Sequence, residues 1–153
     1  MRSVRSTAVI LALFATASWA QHSGQQAPVR AAELKWAPFP ALPKGAQVAV
    51  LEGPTNQAVP FTVRLKFPTG YRIPAHTHPT AERLTVLSGT FHLGMGEKPD
   101  RSSTQPLRVG DLVILQPGMP HFAWTEGETV VQLHGTGPSA IKYVNANEDP
   151  RNQ

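Results

Sequence analysis

The sequence predicts an all-β domain, an antiparallel sandwich or barrel, from three features of its pattern. Short apolar segments recur along the chain, and clusters of proline, glycine and asparagine separate them. Residues 61–67, "FTVRLKF", alternate apolar and polar side chains with the period of two that a half-buried strand shows. Outside residues 1–20, no segment combines a sustained helical period with capping residues.

The first element is a predicted secretory signal peptide over residues 1–20. Arg2 and Arg5 precede an apolar run over 8–17, and small residues occupy the positions that a signal peptidase reads before cleavage after Ala20. The run is about half the ~20 residues that a helix needs to span a bilayer. The sequence therefore predicts a periplasmic or secreted protein with no membrane attachment after the signal is removed.

Residues 21–45 are predicted to form a flexible or extended leader. Residues 21–33 are polar and show no periodicity, and three prolines within 36–45 exclude a helix. The predicted β-domain follows over 46–145, and a polar C-terminal tail occupies 146–153.

The predicted strands of the β-domain are short and closely spaced. They cover 46–53, 61–67, 83–89, 90–96, 107–115, 121–126, 129–135 and 140–145. Several short strands separated by regular turn signals are typical of β-sandwiches and barrels.

The composition excludes several classes of function. The chain has no cysteine, so a thiol nucleophile is excluded and a bound metal must be held by nitrogen and oxygen ligands. Without Arg2 and Arg5, 12 basic and 10 acidic residues remain, a net charge of +2. No basic run and no interleaving of basic with aromatic residues marks a nucleic-acid surface, so no nucleic-acid partner is expected.

The stretch "GYRIPAHTHPTAERLTVLSG" contains the main candidates for chemistry. His76 and His78 are separated by one residue, so a strand would point both imidazoles to the same side. Glu82 follows a proline-containing break that lets the chain turn and return along the next strand. The glycines at the two ends of the stretch suit sharp turns.

The spacing within this stretch resembles the first sequence motif of the cupin superfamily. Gly70-x5-His76-x-His78-x3-Glu82-x6-Gly89 matches that motif at every position. The resemblance implies a single antiparallel jelly-roll barrel, also called a double-stranded β-helix.

A second stretch, "GDLVILQPGMPHFAWT", resembles the second cupin motif with two departures. Gly110, Gly118 and His121 fall on the pattern. Gln116 stands where proline is usual, and Thr125 stands where asparagine is usual. Neither position is a ligand position in the family.

By this resemblance, His76, His78, Glu82 and His121 would bind one divalent transition metal. Imidazole and carboxylate ligands suit iron, manganese, nickel, zinc or copper, and they match calcium and magnesium poorly. Four protein ligands leave a coordination position open, which is typical of catalytic sites. Glu82 is the predicted catalytic residue, because a carboxylate can detach from a metal and accept a proton. The alternative is a metal-free cupin pocket.

The sequence leaves the roles of the remaining polar residues open. His92 is expected on an outer strand face. His134 is either a structural residue or, with Gln132, part of the pocket. The pocket wall is expected to be apolar, with Leu84, Val86 and the alternating face of 61–67.

The leading functional hypothesis is an exported metal-dependent oxidoreductase of dioxygenase type, acting on a small organic substrate with an enolic or phenolic oxygen. One alternative is a lyase, isomerase or decarboxylase, in which the metal acts only as a Lewis acid. Another is a periplasmic protein that binds a metal or small ligand without turnover. The resemblance also implies a homodimer, which would cover sheet edges.

Overall fold

Residues 28–153 are described by a computed structural model of the chain. The predicted signal peptide over 1–20 and the leader residues 21–27 lie outside the described residues. Within 28–153 the chain forms strands and short 3-10 turns and no α-helix. In the same part of the chain, no helix is long and apolar enough to cross a membrane.

Eleven strands and four 3-10 turns make up the described chain. The strands are β1 (Ala37–Pro38), β2 (Gln47–Glu52), β3 (Pro60–Phe67), β4 (Arg72–Thr77), β5 (Glu82–Ser88), β6 (Phe91–Met95), β7 (Gln105–Leu107), β8 (Leu112–Leu115), β9 (His121–Thr125), β10 (Thr129–Thr136) and β11 (Lys142–Tyr143). The 3-10 turns are Ala31–Glu33, Arg101–Ser103, Ala146–Glu148 and Pro150–Asn152.

The strands form two antiparallel sheets with the core between them. One sheet has six strands in the order β1-β2-β3-β10-β5-β8, and the other has five in the order β11-β4-β9-β6-β7. The chain changes sheet between consecutive strands several times, for example from β3 to β4 and from β4 to β5. Such crossings are characteristic of a jelly roll. The predicted all-β, antiparallel fold class is confirmed.

The alternation in β3 determines which side of the six-stranded sheet faces the core. Four apolar residues of this strand are at most 5% exposed, namely Phe61, Val63, Leu65 and Phe67. The residues between them are only partly buried. From the five-stranded sheet, Ile73, Leu93 and Ala123 join the same hydrophobic cluster. The inward faces of both sheets therefore build one core.

The predicted strand over 107–115 is wrong, because the chain turns in its middle. β7 ends at Leu107 and pairs with β6, whereas β8 begins at Leu112 and pairs with β5 in the other sheet. Gly110 lies between them with a φ of 92°, a left-handed conformation that glycine adopts without the steric penalty of a side chain. Because apolar residues occur on both sides of this turn, the hydrophobic pattern of 107–115 resembles that of one continuous strand.

Both ends of the described chain pack against the barrel. β1 pairs with β2, and Leu42 is 4% exposed within the core. The hydroxyl of Tyr143 in β11 donates to the carbonyl of Ala41 at 2.9 Å. The packed part of the chain therefore begins before residue 46. At the other end, residues 146–153 form two 3-10 turns.

Candidate metal centre

Both sheets contribute to one cluster of polar side chains inside the barrel. His76 lies near the end of β4, His78 directly follows that strand, and His121 is the first residue of β9. Glu82 is the first residue of β5 in the opposite sheet. All four side chains line the same cavity, so the structure brings together the polar residues of the two motifs.

An irregularity in β4 turns His76 toward the interior. Ile73 pairs with Ala123 of β9. The next pair is His76 with His121. From the first pair to the second, the chain advances three residues along β4 but only two along β9. The extra residue is a β-bulge, which locally disrupts the strand's alternation between faces. Ile73 and His76 are consequently both buried in the interior, at 6% and 5% exposure.

Three imidazoles meet at the centre of the cluster. The donor atoms of His76, His78 and His121 all lie within 4.8 Å of one another, and all three residues are buried. The Oε2 atom of Glu82 lies 3.4 Å from Nε2 of His78 and 3.9 Å from Nε2 of His121. Glu82 therefore stands beside two of the imidazoles, while the histidines form a compact group without it.

Backbone carbonyls determine which ring nitrogen of each histidine faces the cluster. Each Nδ1 atom lies at hydrogen-bond distance from a carbonyl oxygen: His76 from Pro74 at 2.7 Å, His78 from Ala140 at 2.8 Å and His121 from Met119 at 3.0 Å. A carbonyl only accepts, so Nδ1 carries the proton and Nε2 keeps its lone pair. Histidines that bind a metal are commonly held in this way.

The residues present fit a transition-metal ion. Nε2 of His78 is buried and has no hydrogen-bond partner among residues 28–153, although the carboxylate of Glu82 is nearby. An unpartnered buried acceptor is unfavourable, and a bound cation would satisfy it. Three imidazoles beside a carboxylate suit iron, manganese, nickel, zinc or copper. The three buried histidines can therefore hold a divalent metal, whose identity the donor set leaves open.

Burial keeps the three imidazoles neutral. It lowers the pKa of His76 from 6.5 to about 3, and repulsion from His121 and His78 in their protonated forms acts in the same direction. Burial also lowers the pKa of His78 and the pKa of His121. Neutral rings keep the lone pairs that metal binding requires. Burial raises the pKa of Glu82 to about 7, and attraction to His121 in its protonated form partly opposes this shift, so in the metal-free site this carboxyl can exchange a proton near neutral pH.

The cluster lies in the wall of an apolar cavity between the two sheets. The cavity has a volume of about 300 Å³, and its wall includes Val63, Leu65, Leu84, Leu93, Leu115 and Leu133. Both chain ends contribute to it through Ala41, residues 139–141 and Arg151. A cavity of this size and lining suits a small, largely apolar organic molecule. The expected apolar wall is present, and Val86 is buried in the core without lining the cavity.

The other polar residues singled out from the sequence lie on outer faces of the sheets. His92 stacks on Trp124 with ring centroids 3.8 Å apart, and it faces away from the core as expected. Gln132 accepts a hydrogen bond from Nε of Arg64 at 3.1 Å. His134 comes two residues after Gln132 in β10, so both side chains are on the same face of the sheet. None of His92, Gln132 and His134 lines the cavity.

Thr125, which replaces the usual asparagine of the second motif, has a structural role. Its fully buried hydroxyl donates to the carbonyl of Pro68 at 2.8 Å and accepts from the backbone N–H of Tyr71 at 3.1 Å. These two hydrogen bonds join the end of β9 to the turn that precedes β4. They anchor the two strands that carry the histidines.

Two groups that form part of the site could not be identified from the sequence. The carbonyl of Ala140 accepts the Nδ1 hydrogen bond of His78, but a backbone acceptor leaves no mark in the pattern of side chains. Arg151 lines the cavity from a polar C-terminal segment whose composition indicates only solvent exposure.

A two-sheet antiparallel barrel with inward histidines on neighbouring strands is the architecture of a cupin. Residues 24–140 match the family model of the ChrR cupin-like domain, and the chain belongs to this cupin family.

Plant proteins are among the relatives of similar sequence. The chain is 31% identical to germin-like protein 9-3 and 34% identical to putative germin-like protein 9-2, both of Oryza sativa subsp. japonica. Each match runs over 101 residues and covers 65% of this chain and 47% of the relative. The chain thus spans about half the length of these curated relatives.

Solved structures share the fold at lower sequence identity. The polyketide cyclase RemF from Streptomyces resistomycificus superimposes with a TM-score of 0.65 at 19% identity, covering 81% of this chain and 89% of that one. An oxalate oxidase superimposes with a TM-score of 0.55 at 20% identity, covering 80% of this chain and 66% of that one. At these identities the likeness establishes the jelly-roll fold alone.

Proposed function

We propose that the protein is a metal-dependent oxidoreductase of dioxygenase type that acts on a small, largely apolar organic molecule with an enolic or phenolic oxygen. The observation that carries this proposal is the convergence of three buried, neutral imidazoles in the wall of an apolar cavity. Such a site can bind a reactive metal and a hydrophobic substrate side by side.

The metal ligands in this proposal are His76, His78 and His121, with Glu82 as the fourth. A divalent transition metal held there would supply Lewis acidity and open coordination positions for the substrate oxygen and for dioxygen. The carboxylate oxygen of Glu82 is already 3.4 Å from Nε2 of His78. A bound cation would favour its ionised form.

The protein's own residues bind the substrate and move its proton. The aliphatic wall would accommodate the hydrocarbon part of the substrate and exclude water from the metal centre. The carboxylate of Glu82 lies beside the ligand histidines in the wall of the cavity, where it would accept the proton of the enolic or phenolic hydroxyl.

A lyase, isomerase or decarboxylase is the second candidate. The observation that favours it is the position of Glu82 outside the compact group of three histidines. A carboxylate that does not need to ligate the metal is free to transfer protons to and from carbon. In that reaction the metal would act on a carbonyl or carboxylate without dioxygen.

Oxygen consumption distinguishes these functions. The purified protein is analysed for metals, then reconstituted with iron, manganese, nickel, zinc or copper and incubated with catechol or acetylacetone in an oxygen electrode. We expect metal-dependent oxygen uptake that is lost in His121→Ala and retained in the matched control His134→Ala. Product formation without oxygen uptake would favour the second candidate, and tight binding of the probes without any product would indicate a non-catalytic binding protein.

Export is part of the proposal and rests on the sequence of residues 1–20. Arg2 and Arg5 are not adjacent, so the twin-arginine route for folded proteins is not indicated. The chain would then acquire its metal outside the cytoplasm. Intact mass measured on the exported protein should correspond to a chain that starts at Gln21, and a mass that includes residues 1–20 would contradict export with cleavage.

A further inference from the structure

The cavity lies where the two ends of the described chain come together. Ala41 from the N-terminal side lines it, as do residues 139–141 and Arg151 from the C-terminal side. The hydroxyl of Tyr143 connects the two sides through its hydrogen bond to the carbonyl of Ala41. This part of the cavity wall therefore depends on contacts between segments distant in sequence.

Arg151 is hydrogen-bonded to the last residue of the 139–141 segment and to a carboxylate of its own segment. Its Nε and Nη2 atoms donate to the two carboxylate oxygens of Asp149, each at 2.7 Å. Nη2 also donates to the carbonyl of Ile141 at 2.9 Å. The planar guanidinium is thus oriented by one carboxylate while it binds the backbone of a neighbouring segment.

The same backbone segment orients one of the three central histidines. The carbonyl of Ala140 accepts from Nδ1 of His78 at 2.8 Å, and the next carbonyl along the chain accepts from Arg151. Two adjacent peptide groups therefore receive one hydrogen bond from His78 and one from the C-terminal segment. A shift of this backbone would change both contacts together.

His78 differs in this respect from the other two histidines. His76 and His121 donate to the carbonyls of Pro74 and Met119, each only two residues before the histidine itself. Their orientation is therefore a local property of the strand that carries them. The acceptor for His78 is 62 residues away in sequence.

We propose that Arg151 is a positioning residue for His78, and that the C-terminal segment 146–153 holds this ligand in its metal-binding tautomer. Arg151 fixes residues 140 and 141, the carbonyl of Ala140 keeps the proton on Nδ1, and Nε2 of His78 stays available to the cation. The inference rests on the proposed function in that His78 is taken as a metal ligand.

The first experiment measures the tautomer of His78 directly in metal-free protein. Nitrogen-15 NMR of the imidazole rings is compared between the wild type and Arg151→Ala, with Arg108→Ala as the matched control at another exposed arginine. We expect the His78 resonances of Arg151→Ala to move from the Nδ1-protonated position toward a mixture of tautomers. His76 and His121 should stay unchanged in the same spectrum, and so should His78 in Arg108→Ala.

The second experiment measures metal affinity. Loss of a hydrogen bond made directly by a ligand typically weakens metal binding about 10- to 100-fold. Arg151 does not contact His78 itself but the residue next to its hydrogen-bond acceptor. We therefore expect a smaller effect, with Arg151→Ala binding cobalt(II) about 3- to 10-fold more weakly than the wild type. Should that variant fail to fold, Asp149→Asn removes the carboxylate that orients Arg151 and should shift both readouts in the same direction.

The two experiments separate this inference from the proposed function. Unchanged His78 resonances in both Arg151→Ala and Asp149→Asn would overturn the positioning role. A wild type that binds none of the metals would contradict the proposed function, and the tautomer comparison would still support or overturn the role of Arg151.

Discussion

In each of the three central histidines, the proton on Nδ1 leaves Nε2 with the lone pair that can bind a cation. Because the acceptors of all three Nδ1 protons are backbone carbonyls, the direction of each Nε2 lone pair follows from the course of the main chain. Side-chain acceptors could be replaced by mutation, whereas these carbonyls are present whichever residue occupies the position. At the residue scale, the site is therefore prepared for a cation by its backbone.

The buried neutral imidazole of His76 predicts an acid-sensitive stability of the metal-free protein. Its pKa is lowered from 6.5 to about 3 in the folded state, so between these values the unfolded chain binds a proton that the folded chain does not. The contribution of His76 is complete above pH 6.5 and is lost as the pH falls toward 3. Between pH 6.5 and 5 the loss is about 2 kcal/mol.

Urea unfolding of wild type and His76→Gln at several pH values measures this contribution. Glu82 acts in the opposite sense, because its folded pKa of about 7 lies above its ordinary value and its contribution is lost as the pH rises through 7. Both proteins contain Glu82, His78 and His121, so the difference in their unfolding free energies reports His76 together with its coupling to the two neighbouring imidazoles. We expect this difference to change by about 2 kcal/mol from pH 6.5 to 5 and to stay constant from pH 7 to 8. Parallel pH profiles throughout would contradict the prediction.

At the scale of elements, β6 and β9 are held together by a glycine opposite an aromatic ring. Gly94 of β6 is the cross-strand partner of Phe122 of β9. A Cβ atom at Gly94 would overlap the ring of Phe122, which is only 3% exposed. The glycine therefore provides the space that the far end of this ring occupies. β9 carries His121 at its start, so this packing supports the strand of a central histidine.

Replacing Gly94 with alanine should destabilise the protein by about 1–3 kcal/mol, the usual penalty for overpacking a well-filled site. Gly127→Ala is the matched control, because a Cβ atom there meets nothing within 4 Å. Chemical denaturation of both variants checks this expectation, and equal stabilities of the two would show that the ring adapts freely.

At the scale of the whole molecule, the space between the sheets is only partly filled by side chains. A sandwich of two sheets usually closes its core with interdigitating residues. Here a cavity of about 300 Å³ remains beside the histidines. Side chains that line a cavity forgo some of the packing contacts of a filled core, so this wall offers apolar surface to a ligand at a cost in stability.

Filling the cavity should weaken substrate binding and leave metal binding intact. Val63 of β3 is 4% exposed and lines the cavity, and it is not a metal-donor residue. We expect Val63→Phe to weaken catechol binding about tenfold or more, with cobalt(II) affinity unchanged. Calorimetric titration of both ligands measures the two effects.

The control for this change is Val130→Phe, which adds the same side chain to β10 at a position that does not line the cavity. Catechol affinity should be retained there. Equal catechol affinity in Val63→Phe and the wild type would show that the probe binds outside this cavity.

Much of the molecule could be predicted from local pattern. The alternation of 61–67 identifies β3 and its buried face, because successive side chains of a strand point to opposite sides. The spacing of His76, His78 and Glu82 within one motif indicates a common site, since it places them around a single turn between strands. The strand break at Gly110 could not be predicted in this way, because it depends on which sheet each half of the segment joins.

The sequence by itself determined the fold class and the core-facing residues of β3, and its two motifs indicated the four polar residues of the candidate site. Alternation, turn residues and motif spacing are local properties that the chain carries before it folds. Only the tertiary structure decided that the bulge in β4 turns His76 inward, that Ala140 orients His78 and that the C-terminal segment lines the cavity. The physical reason is that each of these depends on hydrogen bonds between segments far apart in sequence, whose partners are selected only when the two sheets and the chain ends pack together.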